Sequence, residues 1–321
     1  MESDISAASN LPAATIRLGA RGSLLSRMQS GMVAETLRQK YPGMKVELVL
    51  ITTSGDKIQD RPLHEFGGKG LFTKELEQAL LRSEVDFAVH SFKDVPVTMP
   101  LVATEDLVIA ATPRREDPRD MLASRLGKTI AALPAGARVG TGSLRRQAQV
   151  LAARPDLVVV PIRGNVDTRI RKLTSGEYDA VILACAGCKR AGLVDESYMT
   201  PLATDVLLPA AGQGALALQC RRSDTGLIRL LSGLDDPTTA MCVKAERAVV
   251  QRLNGDCHSP IAAYATVEGS TLHLRAAVAR RDGQPPVIRS ESEAGICDAD
   301  RAVAAVVAAL EAQGAVKLLR Q

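Results

Sequence analysis

Between Arg138 and Lys172 the chain carries eight basic residues (Arg138, Arg145, Arg146, Arg154, Arg163, Arg169, Arg171 and Lys172) against two acids, Asp156 and Asp167. A patch of this density suits a small molecule bearing several carboxylates. Arg145, Arg146 and Arg163 fall in or beside two turns, Gly140-Thr141-Gly142-Ser143 and Arg163-Gly164-Asn165, each expected to open a helix. Free backbone N–H groups and the helix dipole favour anions at such ends. The planar guanidinium fork fits carboxylate or phosphate, and each desolvated charge-assisted hydrogen bond contributes about 1.5–3 kcal/mol. Arg169, Arg171 and Lys172 read instead as the solvated face of a helix.

Two further positions have chemistry-bearing side chains. Lys93-Asp94 follows the alternating segment Val85 to His90, at the carboxyl end of an expected strand, where α/β proteins place ligands. An acid there moves protons while its neighbour attracts anions; a Lys-Asp pair on a loop is also a common solvated feature, and position alone leaves both readings open. Cys257 sits in the turn Asn254-Gly255-Asp256-Cys257-His258-Ser259-Pro260. His258 can promote a thiolate there, or the cysteine is an inert small hydrophobe. Cys185-Ala186-Gly187-Cys188 supplies two zinc ligands of four with no second pair, so packing is the preferred reading. His64, His90 and His273 lack metal-ligand spacing, no metal is expected, and Gly67-Gly68-Lys69-Gly70 lacks the GxxxxGK[ST] frame of a P-loop.

The elements that must position these residues follow from periodicity. An apolar run from Thr15 to Leu18 leads into Arg21-Gly22-Ser23, and apolar residues then recur at helical spacing from Leu25, with Ser23 as the natural N-cap. Val46 to Thr52 reads as the next strand, which makes the opening a β-loop-α-β unit whose first loop is able to hold an anion. Residues Thr53 to Gly70, which include Lys69, are too long and Gly-rich for an ordinary connection and suggest a lid. A helix Leu71 to Ser83 precedes the Val85–His90 strand. The same grammar repeats from about Pro113, with strands ending at Val139, at Leu157 to Pro161 and at Tyr178 to Ala184, and Leu207 to Gln219 crosses back. From about Asp235 a helix Thr238–Leu253, strands near 261–268, 271–280 and 286–291, and a last helix Asp298 to Leu319 suggest an antiparallel sheet covered by helices. The expected division is 1–112 with 215–231, then 113–214, then 232–321.

Composition narrows the class. At 321 residues the chain exceeds the roughly 250–300 at which one core stops growing. Hydrophobic residues at 46% and charged residues at 24% describe an ordinary globular protein and exclude disorder and coiled coil. Four Phe, four Tyr and no Trp leave base stacking poorly supplied, so no nucleic-acid partner is expected. The longest uncharged stretch, Val206 to Cys220, is broken by Pro209, Gly212 and Gly214 and is too short to span a bilayer. Met-Glu-Ser-Asp at the start resembles no signal peptide, which gives the expectation of a cytoplasmic chain with reduced thiols.

Seven motifs in order, Arg21-Gly-Ser, Gly67-Gly-Lys-Gly-Leu-Phe, His90-Ser-Phe-Lys-Asp-Val-Pro, Gly140-Thr-Gly-Ser-Leu-Arg-Arg-Gln, Arg163-Gly-Asn-Val, Pro209-Ala-Ala-Gly-Gln-Gly and Gly255-Asp-Cys-His-Ser-Pro-Ile, closely resemble the porphobilinogen deaminase (hydroxymethylbilane synthase) family. The resemblance runs from about Ile16 to the C-terminal helix. It implies an α/β protein with two periplasmic-binding-protein-like domains around a central cleft and a small α+β C-terminal domain. It also implies a transferase that condenses four porphobilinogen molecules head to tail into hydroxymethylbilane, releasing ammonia, on a dipyrromethane cofactor joined by a thioether to Cys257.

By motif position, the resemblance makes Asp94 the catalytic acid and assigns Lys93, Ser143, Arg145 and Arg146 to the cofactor's acetate and propionate arms. Arg21, Ser23, Arg154 and Arg163 would bind those of the incoming substrate, with the Thr53–Gly70 lid closing over the cleft. Family precedent is a monomer. Departures are few: Gly142 stands where Ser or Thr is usual, Ala20 replaces a common Thr, and Ser26 a common Ala. A non-catalytic solute-binding protein would also use a cleft and an arginine cluster, but it gives no role to Asp94, Cys257 or a third domain. A thiol oxidoreductase built on Cys185 and Cys188 is the weaker rival.

Overall fold

The structure, a computed structural model, describes residues 15–53, 73–97, 106–256 and 258–320. The chain opens with β1 (Ile16–Arg21), α1 (Leu24–Lys40), β2 (Val46–Ile51), α2 (Lys74–Leu81), β3 (Phe87–Ser91) and β4 (Leu107–Ala111). It then crosses to β5 (Asp120–Ala123), β6 (Arg138–Gly140), α3 (Leu144–Ala153), β7 (Val158–Val160), α4 (Val166–Thr174), β8 (Ala180–Ala184), α5 (Cys185–Arg190) and β9 (Met199–Pro201). The return strand β10 (Leu216–Arg221) and α6 (Thr225–Ser232) lead to α7 (Pro237–Arg252), β11 (Ile261–Glu268), β12 (Thr271–Ala279), β13 (Val287–Gly295), α8 (Ala299–Ala312) and α9 (Ala315–Leu318).

These strands make three sheets, ordered β2-β1-β3-β10-β4, β7-β6-β8-β5-β9 and β11-β12-β13. In the first two, β1 pairs in parallel with β2 and β3, and β6 with β7 and β8, whereas β10 and β5 run antiparallel to their neighbours. The near-continuous apolar runs of β3 and β8 follow from burial on both faces. On α1, Val33, Ala34 and Leu37 recur at helical spacing and pack on Leu18, Phe87, Val89 and Leu218 of the sheet. Full burial of each large aliphatic chain contributes about 1.5–3 kcal/mol. In the third unit, Ala263, Ala265, Ala276 and Ala294 let α7 and α8 approach the sheet closely, where Val303, Val306 and Leu310 fill the core. No helix among the described residues is long and apolar enough to cross a membrane.

A buried ion pair braces the crossing points. Glu246 of α7 is fully buried, pairs with Arg115 at 2.5 Å, and accepts the N–H groups of Gly212 (2.7 Å) and Ala265 (2.9 Å). Arg115 Nε also donates to the Gln213 carbonyl at 2.7 Å. Gly214 beside it has φ +88° and lies so close to the Glu116 carbonyl that a Cβ would stand 2.4 Å from its oxygen, a position only glycine fills without displacement.

Element ends depart from expectation where local chemistry intervenes. The last helix divides at Gly314, whose φ of +95° stops α8 after Ala312. Strand β13 continues to Gly295, past the expected 291, because Ser290, Glu291, Ser292 and Glu293 alternate on a sheet edge, where polar side chains meet water. Of the expected lid, residues 54–70, Lys69 included, lie outside the described residues, as do residues 71–72 of the helix expected to follow.

Candidate active site

The carboxyl ends of β1 and β3 face that of β8 and the turn after β7 across a cavity of about 520 Å³. Each side chain reaches it for a local reason. Ser23 caps α1, its Oγ accepting the Ser26 N–H at 3.3 Å, which leaves Arg21 and Gly22 at the rim. Ser26, the residue that departs from the usual alanine, uses its hydroxyl to accept the Arg21 N–H at 3.0 Å. After β3 a single 3₁₀ turn, Phe92–Asp94, brings Lys93 and Asp94 to the wall. Opposite stand Arg146 from α3, Arg163 in the turn before α4, Arg169 one turn into α4, and Arg190 at the end of α5. Among the described residues the only acidic side chain in the lining is Asp94.

The electrostatics are those of a polyanion site. Burial pushes the Lys93 ammonium down to about 8, opposed by Asp94 beside it. Burial and then the neighbouring Arg146 and Arg163 push Arg169 down to about 10, again opposed by Asp94; it stays charged at neutral pH. Arg190 is buried, its Nη2 donates to the Gly214 carbonyl at 2.7 Å, and its buried Nε has no hydrogen-bond partner among the described residues. An unsatisfied buried donor costs about 1–3 kcal/mol, which an acceptor entering the cavity would relieve.

Behind the wall, Asp120 at the start of β5 is fully buried between two arginines. Arg145 Nη1 donates to its Oδ2 at 2.8 Å and to the Leu208 carbonyl at 2.6 Å. Arg146 donates through Nε and Nη2 to Oδ1 at 3.0 and 2.6 Å and through Nη1 to the Ile182 carbonyl at 3.0 Å. Burial alone would raise the Asp120 carboxyl, but the two guanidinium groups outweigh it and hold it well below the usual carboxylate range. A smaller recess of about 60 Å³ adjoins the cavity, lined among others by Asp94, Ser91, Thr73 and His90. His90 Nε2 lies 2.9 Å from Gln219 Oε1, and burial pushes this imidazole down to about 4.

Of the residues singled out from the sequence, Arg21, Ser23, Lys93, Asp94, Arg146 and Arg163 meet at the cavity. Three do not. Arg145 is not in the lining, and its carboxylate partner is Asp120 of the chain itself. Ser143 occupies the N-cap position of α3 without a side-chain cap bond and is likewise absent from the lining. Arg154 stands apart: it closes α3, pairs with Asp156 at 2.6 Å and donates to the carbonyls of Ile130, Ala131 and Leu133. It clamps a loop and is absent from the lining. Cys257 and Lys69 lie outside the described residues; next to the former, Asp256 Oδ1 accepts the His258 N–H and the Ser259 hydroxyl, both at 2.9 Å.

Arg169 and Arg190 are the cavity residues the sequence reading missed. The first was assigned to a solvated face with Arg171, yet only Arg171 is exposed; Arg169 turns back and donates to the Gly164 carbonyl at 2.9 Å. The signal was available, since a residue one turn inside a helix opened by Gly164-Asn165 shares the face of that turn. Arg190 carried no signal because the short helix after β8 was not anticipated. Gly142 sits close to the Ile162 carbonyl, where a Cβ would stand 3.2 Å from the oxygen. Cys185 and Cys188 are fully buried beside Met121, Ile162 and Leu183, and burial pushes their thiols up to about 12 and about 11, which fits packing. Among the described residues no group of three or more His, Cys, Asp or Glu is placed to hold a metal ion.

Comparison with known proteins sets the C-terminal unit apart from the rest of the chain. Residues 16–229 match the family model described as "Porphobilinogen deaminase, dipyromethane cofactor binding domain", and residues 240–312 match "Porphobilinogen deaminase, C-terminal domain". A porphobilinogen deaminase of Syntrophotalea carbinolica is 46% identical over 309 residues, covering 96% of each chain. One of Sorangium cellulosum is 51% identical over 269 residues, covering 84% of this chain and 88% of its own. Among solved structures, the methionine-binding protein MetQ aligns with 68% of this chain and 89% of its own at 13% identity and a TM-score of 0.44.

Proposed function

The chain belongs to the porphobilinogen deaminase family, and from that premise we propose that Asp94 is its catalytic acid and that the arginines around it hold the carboxylate arms of pyrrole substrates. The activity is the family's: porphobilinogen units are joined head to tail into hydroxymethylbilane with loss of ammonia, in tetrapyrrole biosynthesis. One observation carries the site reading, namely Lys93 and five arginines disposed around a single carboxylate in one cleft. On the same reading the enzyme works as a cytoplasmic monomer divided into 1–112 with 215–231, 113–214 and 232–321.

The cavity fits the dipyrromethane cofactor in charge and size. Two pyrroles bring four carboxylate arms, six cations line the wall, and 520 Å³ lies within the roughly 300–1,000 Å³ of sites for small organic ligands. The orphaned Arg190 Nε is a donor that such an arm would satisfy. Lys93 and Arg146 would hold the cofactor from the wall. Of the other two assigned to it by motif position, Arg145 braces Asp120 behind that wall, and Ser143 would offer its hydroxyl from the N-cap of α3. When bound through Cys257, the group supplies the nucleophilic pyrrole carbon at which growth begins.

The chain's own residues do the rest. Arg21, Ser23 and Arg163, with Arg169 and Arg190, would orient the arms of the incoming substrate, and such alignment removes much of the entropic barrier to joining two molecules. A carboxyl Oδ of Asp94 delivers a proton to the aminomethyl nitrogen, so ammonia leaves with the C–N electron pair. As a carboxylate, Asp94 then offsets the positive charge left on the substrate ring.

Incubation with porphobilinogen tests the reading. Ammonia release in step with bilane formation, together with an Ehrlich-type colour reaction from protein-bound dipyrrole, is expected. Purified protein that has only the mass of its amino acids, and that stays inert after supply of porphobilinogen, would overturn it.

A further inference from the structure

Helix α7 presents two consecutive charged residues to the back of the site, and only Glu246 is accounted for by the ion pair at the crossing. Arg247 turns toward the 3₁₀ turn that carries Lys93 and Asp94. Its Nη1 donates to the Val95 carbonyl at 2.8 Å and its Nη2 to the Pro96 carbonyl at 2.7 Å, and its guanidinium lies over the Phe92 ring, 4.9 Å from the centroid. One turn earlier on the same helix, Val243 packs with Phe92, Val95, Ala215 and Ala217. We propose that Arg247 is a positioning residue for Asp94, holding the acid at the cavity wall from the C-terminal domain.

The geometry favours positioning over general packing. The turn has two other backbone ties, Phe92 N–H to the Ala215 carbonyl at 3.0 Å and Val95 N–H to the Phe92 carbonyl at 3.1 Å. The second already reaches the exit, where Val95 packs in the same apolar cluster as Phe92. There Arg247 adds a grip on two successive carbonyls that no described strand pairs with, and Pro96 has no N–H with which to fix itself. A planar fork suits two adjacent acceptors, whereas a lysine reaches one. Phe92 and Asp94 share the turn, so freeing the ring lets the carboxyl drift, and misplacement by about 1 Å can cost about 100-fold in rate. The arrangement also makes the acid ride on the helix that leads to Cys257.

The inference rests on the reading of Asp94 as the acid, and a double-mutant cycle separates the two. Turnover per adduct-bearing molecule is measured for wild type, Arg247→Met, Asp94→Asn and the double variant. Arg247→Met is expected to lower kcat by about 10–100-fold with KM for porphobilinogen changed by less than about threefold. On the Asp94→Asn background the same change should cost less than about twofold, because a residue acting through Asp94 has nothing left to position. An unchanged kcat for Arg247→Met, or the same loss on both backgrounds, overturns the inference. If Asp94→Asn itself keeps full turnover, the reading of the acid fails instead, and the inference with it. Arg247→Lys carries the same cycle if the methionine variant does not accumulate as folded protein.

Discussion

Arg146 spends two of its donors, Nε and Nη2, on a single oxygen of Asp120, at 3.0 and 2.6 Å, while its side chain lines the cleft. The guanidinium is thereby fixed before any ligand arrives, with Arg145 occupying the other oxygen and Gln213 Nε2 reaching Oδ1 at 2.9 Å. A buried carboxylate with this many donors keeps its charge, and the charge keeps two arginines in place. Preorganisation of this kind lowers the cost of closing on an anion.

Removing one arm of that network should be felt in folding. Arg145→Leu leaves Asp120 buried with half its compensation, and a loss of about 3 kcal/mol is expected. Urea denaturation read as a midpoint shift at constant slope measures it. An unchanged midpoint would mean that Arg145 is held for the ligand and not for Asp120.

Asp94→Asn keeps the shape of the side chain and removes its proton. Turnover should fall by about 10²–10⁴, equivalent to roughly 3–5 kcal/mol of barrier. Steady-state rates per adduct-bearing molecule decide, and near-normal turnover removes Asp94 from the mechanism.

Cys257→Ala should abolish the covalent cofactor, whereas Cys188→Ala, at a fully buried thiol pushed up to about 11, should keep it. Intact-protein mass spectrometry distinguishes them. An adduct retained in the Cys257 variant would assign the anchor elsewhere.

Lys93 sets an alkaline limb. Its ammonium is pushed down to about 8 by burial, so the free enzyme loses this charge as pH rises through that value. Assembly of the covalent cofactor by the cofactor-free protein is therefore expected to slow between about pH 7 and 9, and Lys93→Arg, whose charge persists past pH 12, should flatten the decline. An unaltered pH profile of cofactor assembly in that variant, followed by intact-protein mass, would rule Lys93 out as the titrating group.

His90 sets an acid limb of stability. Its imidazole is pushed down to about 4 from an ordinary 6.5, so between these values the unfolded chain takes up a proton that the folded chain refuses. Stability therefore falls as pH drops from about 6.5 and levels off below about 4, by up to about 3 kcal/mol. Thermal unfolding of wild type and His90→Gln from pH 7 to 4 should show a shallower decline in the variant; parallel curves would exclude His90.

Much of this was legible in the chain. Ser23 as a cap and the helix it starts, the strand that delivers Lys93-Asp94, and the return of residues beyond Leu207 to the first sheet all follow from periodicity and turn chemistry. The arginines were harder. Residue type announces an anion site, but which guanidinium faces the cleft depends on helix phase and on partners far away in sequence. Arg145 met Asp120, Arg154 met Asp156 and three carbonyls, and Arg169 turned inward because the Gly164 carbonyl accepts it. Arg247 was invisible for the same reason: its acceptors are backbone oxygens about 150 positions away, which no local pattern encodes.

Strand β10 lies between β3 and β4, and its residues come about a hundred positions after theirs. During synthesis the first sheet stays split, with β4 lacking its neighbour, until residue 221 has cleared the ribosome tunnel, whereas every strand of the second sheet has been made by residue 201. The middle of this chain can therefore become protease-resistant before its beginning, an inversion of the usual vectorial order. Pulse proteolysis of nascent chains stalled on either side of β10 would time the two events.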